Sequence, residues 1–398
     1  MGVGSKSSRA LGRQRERQSR NAGLPTFFSA WPLRLERRAA PSLPMRIAAP
    51  LLAAVAMLAT GFILFTLLGK SPLAGFQVFF VEPLASTYGV GELALKATPL
   101  MLCALGLAIG FRANVWNIGA EGQLTIGAIA GAGIALFTTS LGSLALPLML
   151  LAGIAGGMVW AAVPALLRTR FHTSEILVSL MLVYVAQLLL SYLVHGPWRD
   201  PAGFNFPQSQ ALDEHELLPT LFEGARVTIA FPLALLLAGL AWVFISRTFA
   251  GFKMRVAGSA PAAASYAGFG EKSSIWLAML IGGAMAGLAG ICEVAGPIGL
   301  LSPSVSPGYG FAAIIVAFVG RLHPAGIPLA ALLMSALYLG GESAQVELQL
   351  PSSITDLFQG MLLFYLLAAD LFITYRIRRA APAAAENSMT LEPVRGES

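Results

Sequence analysis

Ten separate windows of about 20 predominantly apolar residues run through this 398-residue chain, and they restrict its fold more than anything else in it. They lie near residues 47–68, 94–111, 122–138, 144–167, 175–194, 227–246, 275–295, 309–320, 325–342 and 355–376. A stretch of that length crosses a bilayer as a helix, because a helix satisfies its backbone N–H and C=O groups within one segment. The eighth window is short, and only a polar patch separates the second from the third. Pro72–Ser86 is apolar and aromatic but too short to span, which makes it an interfacial segment or a half-helix. The expected fold class is all-α integral membrane: a polytopic bundle of about ten transmembrane helices with broken or re-entrant elements.

Charge agrees with that reading. Charged residues make up 12% of the chain, against about 25% in a soluble domain. What charge there is lies unevenly. Residues 1–46 hold ten Lys or Arg against two Glu, a balance of +8, while the whole chain carries +6. We read residues 1–45 as a basic cytoplasmic arm without fixed structure that helps set topology, not as a nucleic-acid contact. Residues 46–377 form the membrane domain and 378–398 a cytoplasmic tail. Arg37 and Arg38 hint at a twin-arginine signal, but the following apolar run is long enough to span and lacks a clear cleavage site, so it is an uncleaved first span.

Orientation follows from Lys and Arg near the span ends. The N-terminal arm, Arg168 with Arg170, the 247–274 loop with Arg247, Lys253, Arg255 and Lys272, and the tail with Arg376, Arg378 and Arg379 all fall on one side in a ten-span chain. The acidic 195–226 loop falls on the other. Both termini are therefore expected in the cytoplasm. Small residues recur at spacing four, as in Gly127/Gly131, Gly153/Gly157, Gly283/Gly287 and Gly282/Ala286/Gly290, and such faces let helices in a bilayer approach closely.

Few motifs point to chemistry. Gly69, Lys70 and Ser71 resemble the end of a phosphate-binding loop, but Leu64 stands where a glycine is needed and a membrane span precedes it. His172, His195, His215 and His323 have no metal-ligand spacing, so neither a metal nor another cofactor is expected. Cys103 and Cys292 sit far apart in apolar segments and read as small core residues. Polar groups inside the membrane part are more telling. Phe111–Gln123 reads F-R-A-N-V-W-N-I-G-A-E-G-Q and sets Arg112, Asn117, Glu121 and Gln123 between two apolar segments. Charge in a bilayer faces protein, water or a permeation path. Glu121 and Glu293 are read as path or network residues, whereas Asp370 reaches the interface or pairs with Arg376. Gly296–Phe311, with three Pro and four Gly, cannot be a continuous helix and reads as a broken element beside the path.

Together these landmarks resemble the permease subunits of bacterial ABC importers in the branched-chain amino acid and simple-sugar superfamily, above all the nucleoside-type permeases. The 111–123 segment is similar to that group's F-R-x-G-x-x-N-I-G-x-E-G-Q, with Asn114 where Gly is usual. Residues 173–186 resemble N-E-V-I-x-T-x-M-L-N-Y-I-A, with Ser174 and Val183 in place of two Asn. Gly251–Gly268 resembles the cytoplasmic loop of the group, with Ala262 in place of a Glu, and Pro307–Arg321 matches a late P-G-x-G-F pattern. The resemblance covers about residues 46–377.

What it implies is an assembly in the bacterial inner membrane. A second related permease pairs with this chain in the lipid bilayer, a cytoplasmic ATPase drives it, and an extracytoplasmic binding protein delivers a small polar solute. The chain itself is then not an enzyme, and no nucleic acid is involved. The solute is expected to be a purine nucleoside or a relative, with a pentose sugar as the alternative. Val183, lacking an amide that could bond a ribose or base, leaves room for other solutes. Expected path residues are Trp116, Asn117, Glu121, Gln123, Glu175, Glu293, Tyr309 and Phe311, with Trp116 and Phe311 able to stack on a base. Expected ATPase-coupling residues are Lys253, Arg255, Gly258, Ala263, Ala264 and Gly268, on a short Ala-rich helix that Gly268 ends. An ion-coupled secondary transporter would not need that loop, and a membrane enzyme would need a catalytic cluster that no single segment supplies.

Overall fold

A computed structural model describes residues 33–37, 43–138, 142–222, 224 and 226–379. Most of the arm and tail expected at the termini lies outside these residues, as does the side chain of Asp370. The chain divides into two units. In the unit formed by the two ends, β1 (Leu33–Arg37) pairs antiparallel with β2 (Tyr375–Arg379), with Leu35 opposite Ile377. The other unit, residues 54–365, is a helical bundle.

Each of the ten apolar windows is a helix. In chain order the helices are α1 (Leu43–Leu67), α2 (Pro72–Ala85), α3 (Thr87–Arg112), α4 (Ala120–Phe137), α5 (Ala145–Phe171), α6 (Glu175–His195), α7 (Ala230–Arg247), α8 (Phe249–Ser259), α9 (Pro261–Tyr266), α10 (Glu271–Glu293), α11 (Tyr309–Val319), α12 (Gly326–Glu347) and α13 (Ser353–Thr374). By length and composition, seven described helices can cross a membrane: α3 to α7, α10 and α12. α2 is the short apolar segment, wound as a helix with one wider turn at Gln77–Val81, and it buries Phe79 against Phe65 and Phe358. The 11 residues of α11 rise only about 16 Å, half a hydrocarbon core of roughly 30 Å.

Local chemistry sets several boundaries. The Ser86 Oγ accepts the Gly89 N–H at 2.9 Å and starts α3, and the Thr248 Oγ1 accepts from Gly251 at 3.0 Å and starts α8. Asn114, which replaces the usual glycine, lies at φ 57°. Of the residues with a Cβ, Asn is among those that enter the left-handed region most readily, so the turn survives the substitution.

The core of the bundle is a contact among α4, α5 and α10. A Cβ on Gly157 would lie 2.8 Å from the Gly287 Cα, one on Gly287 would lie 3.0 Å from the Gly157 Cα, and one on Gly127 would strike the Gly287 backbone. Nearly one turn further along α10, a Cβ on Gly290 would lie 2.9 Å from the Leu124 carbonyl carbon of α4. The spacing-four glycines therefore mark places where backbone meets backbone. α3 packs against the same helix, with Gly106 facing Gly282 and nearly all of its apolar residues buried.

Gly296–Phe311 is broken as its composition requires. α10 ends at Glu293, a wider turn runs over Val294–Ile298, Gly299 (φ 71°) and Gly308 (φ 95°) reverse the chain, and α11 begins at Tyr309. Irregular backbone at this depth needs partners, and the 196–229 loop provides them. Leu218 donates to Ala295 O (2.7 Å), Leu212 to Gly299 O (2.8 Å) and Ser209 to Leu301 O (2.9 Å), while Leu301 N–H donates to the Ser209 Oγ (2.9 Å).

Candidate functional site

The candidate residues fall into three places and are not one cluster. Two are at opposite ends of the bundle, and the third lies between them.

At one end, where α3, α5 and α11 finish and α6 and α10 begin, Arg168 pairs with Glu175 and reaches Glu271 at 4.0 Å. Glu175 also accepts the Trp116 backbone N–H (3.3 Å), and the Trp116 indole donates to Asn114 (3.2 Å). The Trp116 ring is 37% exposed and stands 5.0 Å from Phe111 and 6.2 Å from Phe318, with Phe111 and Phe318 stacked at 5.4 Å. The expected coupling residues lie at this same end. The Lys253 ammonium sits over the Phe249 ring at 4.7 Å and near Phe269 at 5.6 Å, which packs α8 against the chain leading into α10. Gly258 abuts the Arg112 and Ala113 backbone, and Arg255 is exposed. α9 is the expected short Ala-rich helix, and Gly268, at φ 75°, lies just past its end. Its two faces differ. Ala264 is buried over a cavity of about 130 Å³, whereas Ala263 is exposed and Tyr266 is 98% exposed.

In the interior, Asn117 and Gln123 bond each other reciprocally: Asn117 Nδ2 donates to Gln123 Oε1 (2.8 Å) and Gln123 Nε2 to Asn117 Oδ1 (3.0 Å). Asn117 Oδ1 also accepts the Gly119 N–H at 3.1 Å. The pair clasps the turn between α3 and α4. Glu121, 1% exposed, accepts the Gly310 N–H at 2.7 Å. The Ser306 Oγ accepts from Gly308 (3.2 Å) and Tyr309 (3.0 Å), so side chains satisfy three consecutive N–H groups where α11 begins. A carboxylate at a helix N-terminus is favoured by charge and by hydrogen bonding. Glu121→Gln keeps an acceptor and removes the charge. Bonds to charged groups contribute about 1.5–3 kcal/mol against about 0.5–1.5 kcal/mol for neutral ones. We therefore expect destabilisation of about 1–2 kcal/mol, read as a lower melting midpoint, with reduced transport. An unchanged midpoint would mean that Glu121 does not hold α11.

At the other end, where α3 begins and α10 finishes, a cavity of about 240 Å³ contains Glu293 and Tyr309 among its walls. Three further charged walls, Glu92, Lys96 and Arg226, escaped the sequence reading. Arg226 meets Glu92 at 3.4 Å and donates to Pro297 O at 3.1 Å, and Lys96 meets Glu342 at 2.8 Å. Burial works against the Arg226 charge, but Tyr88, Glu92 and Glu293 outweigh it and raise its pKa above the ordinary value, so it stays cationic. Glu92 and Lys96, four apart within a span, were the available signal. Phe311 lies outside this cavity, 37% exposed on α11. Val183 is buried where α6 meets Gly122 on α4, so the amide missing there takes nothing from a solute-facing surface. Among the described residues no group of three or more His, Cys, Asp or Glu could hold a metal, and both cysteines are free and buried.

Residues 89–367 match the family model described as the permease component of the branched-chain amino acid transport system. The chain is 36% identical to the glucose ABC transporter permease protein of Haloferax volcanii, over 82% of this chain and 89% of that one. It is 30% identical to the guanosine ABC transporter permease protein of Bacillus subtilis (79% and 91% covered) and 27% identical to a nucleoside ABC transporter permease protein of Lactococcus lactis (81% and 90%). Each of these three organisms has a second permease that also matches. No solved structure matches the chain.

Proposed function

The chain belongs to the permease-component family of branched-chain amino acid transport systems, and from that membership we propose that it carries nucleosides or simple sugars through an ATP-binding-cassette importer. Relatives named for glucose, guanosine and nucleosides support this solute class. A second, related permease completes the pathway, which the matching permease pairs of three organisms support. A cytoplasmic ATPase and an extracytoplasmic binding protein complete the importer, and ATP is hydrolysed on the ATPase, not here. The membrane is the bacterial inner membrane, with both termini in the cytoplasm.

One observation carries the mechanism: a broken element joins the two ends of the bundle. The Glu293-end cavity and the Arg168-end helices α8 and α9 are connected through α10, the Gly296–Phe311 break and α11. Under the positive-inside rule the Arg168 end faces the cytoplasm. ATP-driven movement of the ATPase acts on α8 and α9, and α11 changes its packing to expose the path alternately to the two sides. Trp116 and Glu175 border the lower path, Glu293 and Tyr309 the mouth, with Phe311 in the first turn of α11, and Asn117, Glu121 and Gln123 hold the frame between.

Two measurements test this reading. Cells expressing the complete operon should take up labelled guanosine or glucose, and deletion of this chain should abolish that uptake. Loss of neither would remove the function. Reporter fusions at Asp213 should report the periplasm and at Ser259 the cytoplasm, and both on one side would break the orientation.

A further inference from the structure

The charged cavity has two polar groups left open. Its two cations are already committed, Lys96 to Glu342 and Arg226 to Glu92 and the Pro297 carbonyl. The Glu293 carboxylate makes no hydrogen bond and no ion pair among the described residues, although Lys96, Arg226 and Glu92 are its electrostatic neighbours. Tyr309 is 3% exposed, its ring set edge-on to Tyr338 at 5.7 Å, and its hydroxyl likewise has no partner among the described residues. A hydroxyl and a half-buried carboxylate without protein partners among the described residues, lining one cavity, are free to bond what enters it. A solute that supplies hydroxyl groups can bond both.

The surroundings narrow the solute. A cationic ligand would enter beside Lys96 and Arg226, and an anionic one beside Glu92, so either meets like charge. A neutral group with adjacent O–H donors fits. A carboxylate accepts the hydroxyls of a sugar ring, as acidic residues do with the ribose of bound dinucleotides. The cavity, at about 240 Å³, is smaller than the roughly 300–1,000 Å³ of pockets for drug-sized ligands. It suits one sugar ring and leaves a nucleobase outside.

Building on the importer reading above, we propose that Glu293 and Tyr309 form a hydroxyl-reading site at the mouth of the path, which accepts the vicinal hydroxyls of a nucleoside's ribose or of a free sugar and ignores the base. The two sources share one chemistry, and the probes separate them.

The test uses the complete importer in proteoliposomes and compares initial uptake of guanosine with 2′,3′-dideoxyguanosine, of guanosine with adenosine, and of glucose with 2-deoxyglucose. Each ratio is compared between wild type and variant, so discrimination by the binding protein cancels. E293Q should lower uptake of the fully hydroxylated probe about tenfold while changing that of its deoxy partner less than twofold, since an amide nitrogen takes the place of one carboxyl oxygen and cannot accept a hydroxyl's proton. Y309F should lower it about threefold. The guanosine-to-adenosine ratio should not move. If guanosine carries the effect, the ribose of a nucleoside is read, and if glucose does, a free sugar. An unchanged hydroxyl ratio in E293Q overturns the site and leaves the importer reading standing. Uptake of neither guanosine nor glucose by the wild type overturns that reading, and the site with it. Should E293Q fail to reach the membrane folded, Y309F decides, and an unchanged ratio there overturns the site.

Discussion

Gly287→Leu should leave almost no folded protein in the membrane. Gly287 stands where α10 crosses both α4 and α5, with the Gly157 Cα 3.0 Å from where its Cβ would be and the Gly153 backbone closer still. These neighbours are main chain of α5, so no side-chain rotation can make room. Inserting methylenes into a packed core costs about 1–3 kcal/mol where side chains can adjust, and forcing the α10 and α5 backbones apart costs more. Gly239→Leu is the control, since nothing lies within 4 Å of a Cβ there. Size-exclusion profiles of fluorescent fusions read the result. A monodisperse Gly287→Leu peak of wild-type height would show that the three helices are not packed as described.

Ala263→Trp should disconnect the importer from its ATPase while leaving this chain folded. α9 presents Ala263 and Tyr266 outward, and Ala264 inward over its own cavity. A bulky residue at Ala264 would therefore disturb the bundle itself, and one at Gly268 would be strained at φ 75°. At Ala263 it meets only what docks on α9. We expect uptake to fall at least tenfold, with ATPase copurification lost or ATP hydrolysis no longer stimulated by solute. Wild-type values for both would remove α9 as the coupling element.

The spans were legible because lipid imposes the same demand on every residue of a crossing helix, and an apolar run of sufficient length has few alternatives. The break at Gly296–Phe311 was legible for the opposite reason, since three Pro and four Gly forbid a continuous helix. α9 was legible through the resemblance of its loop to that of the importer permeases, with Ala favouring a short helix and Gly268 ending it. The charged cavity was not. Glu92 lies just before the apolar window at 94–111 and Lys96 just inside it, where two charges at a span's edge do not stand out. Arg226, which pairs with Glu92, comes 134 residues later in a loop whose path no local pattern reveals. Asn117 and Gln123 were expected to line the path, and sequence cannot tell that two amides six residues apart will use their bonds on each other.

The bond between Glu121 and Gly310 spans 189 positions of the chain, and this dictates an order of assembly. The acid enters the membrane early in synthesis, whereas the amide that answers it emerges only after α10 has been inserted. Throughout that interval the growing chain holds a carboxyl group whose final partner does not yet exist. α11, too short to cross by itself, has no anchored start until the two meet. A nascent chain halted near residue 300 should therefore stay with the insertion machinery or be degraded, while one extended beyond α12 is released. The half-helix is thus among the last parts of the bundle that can settle.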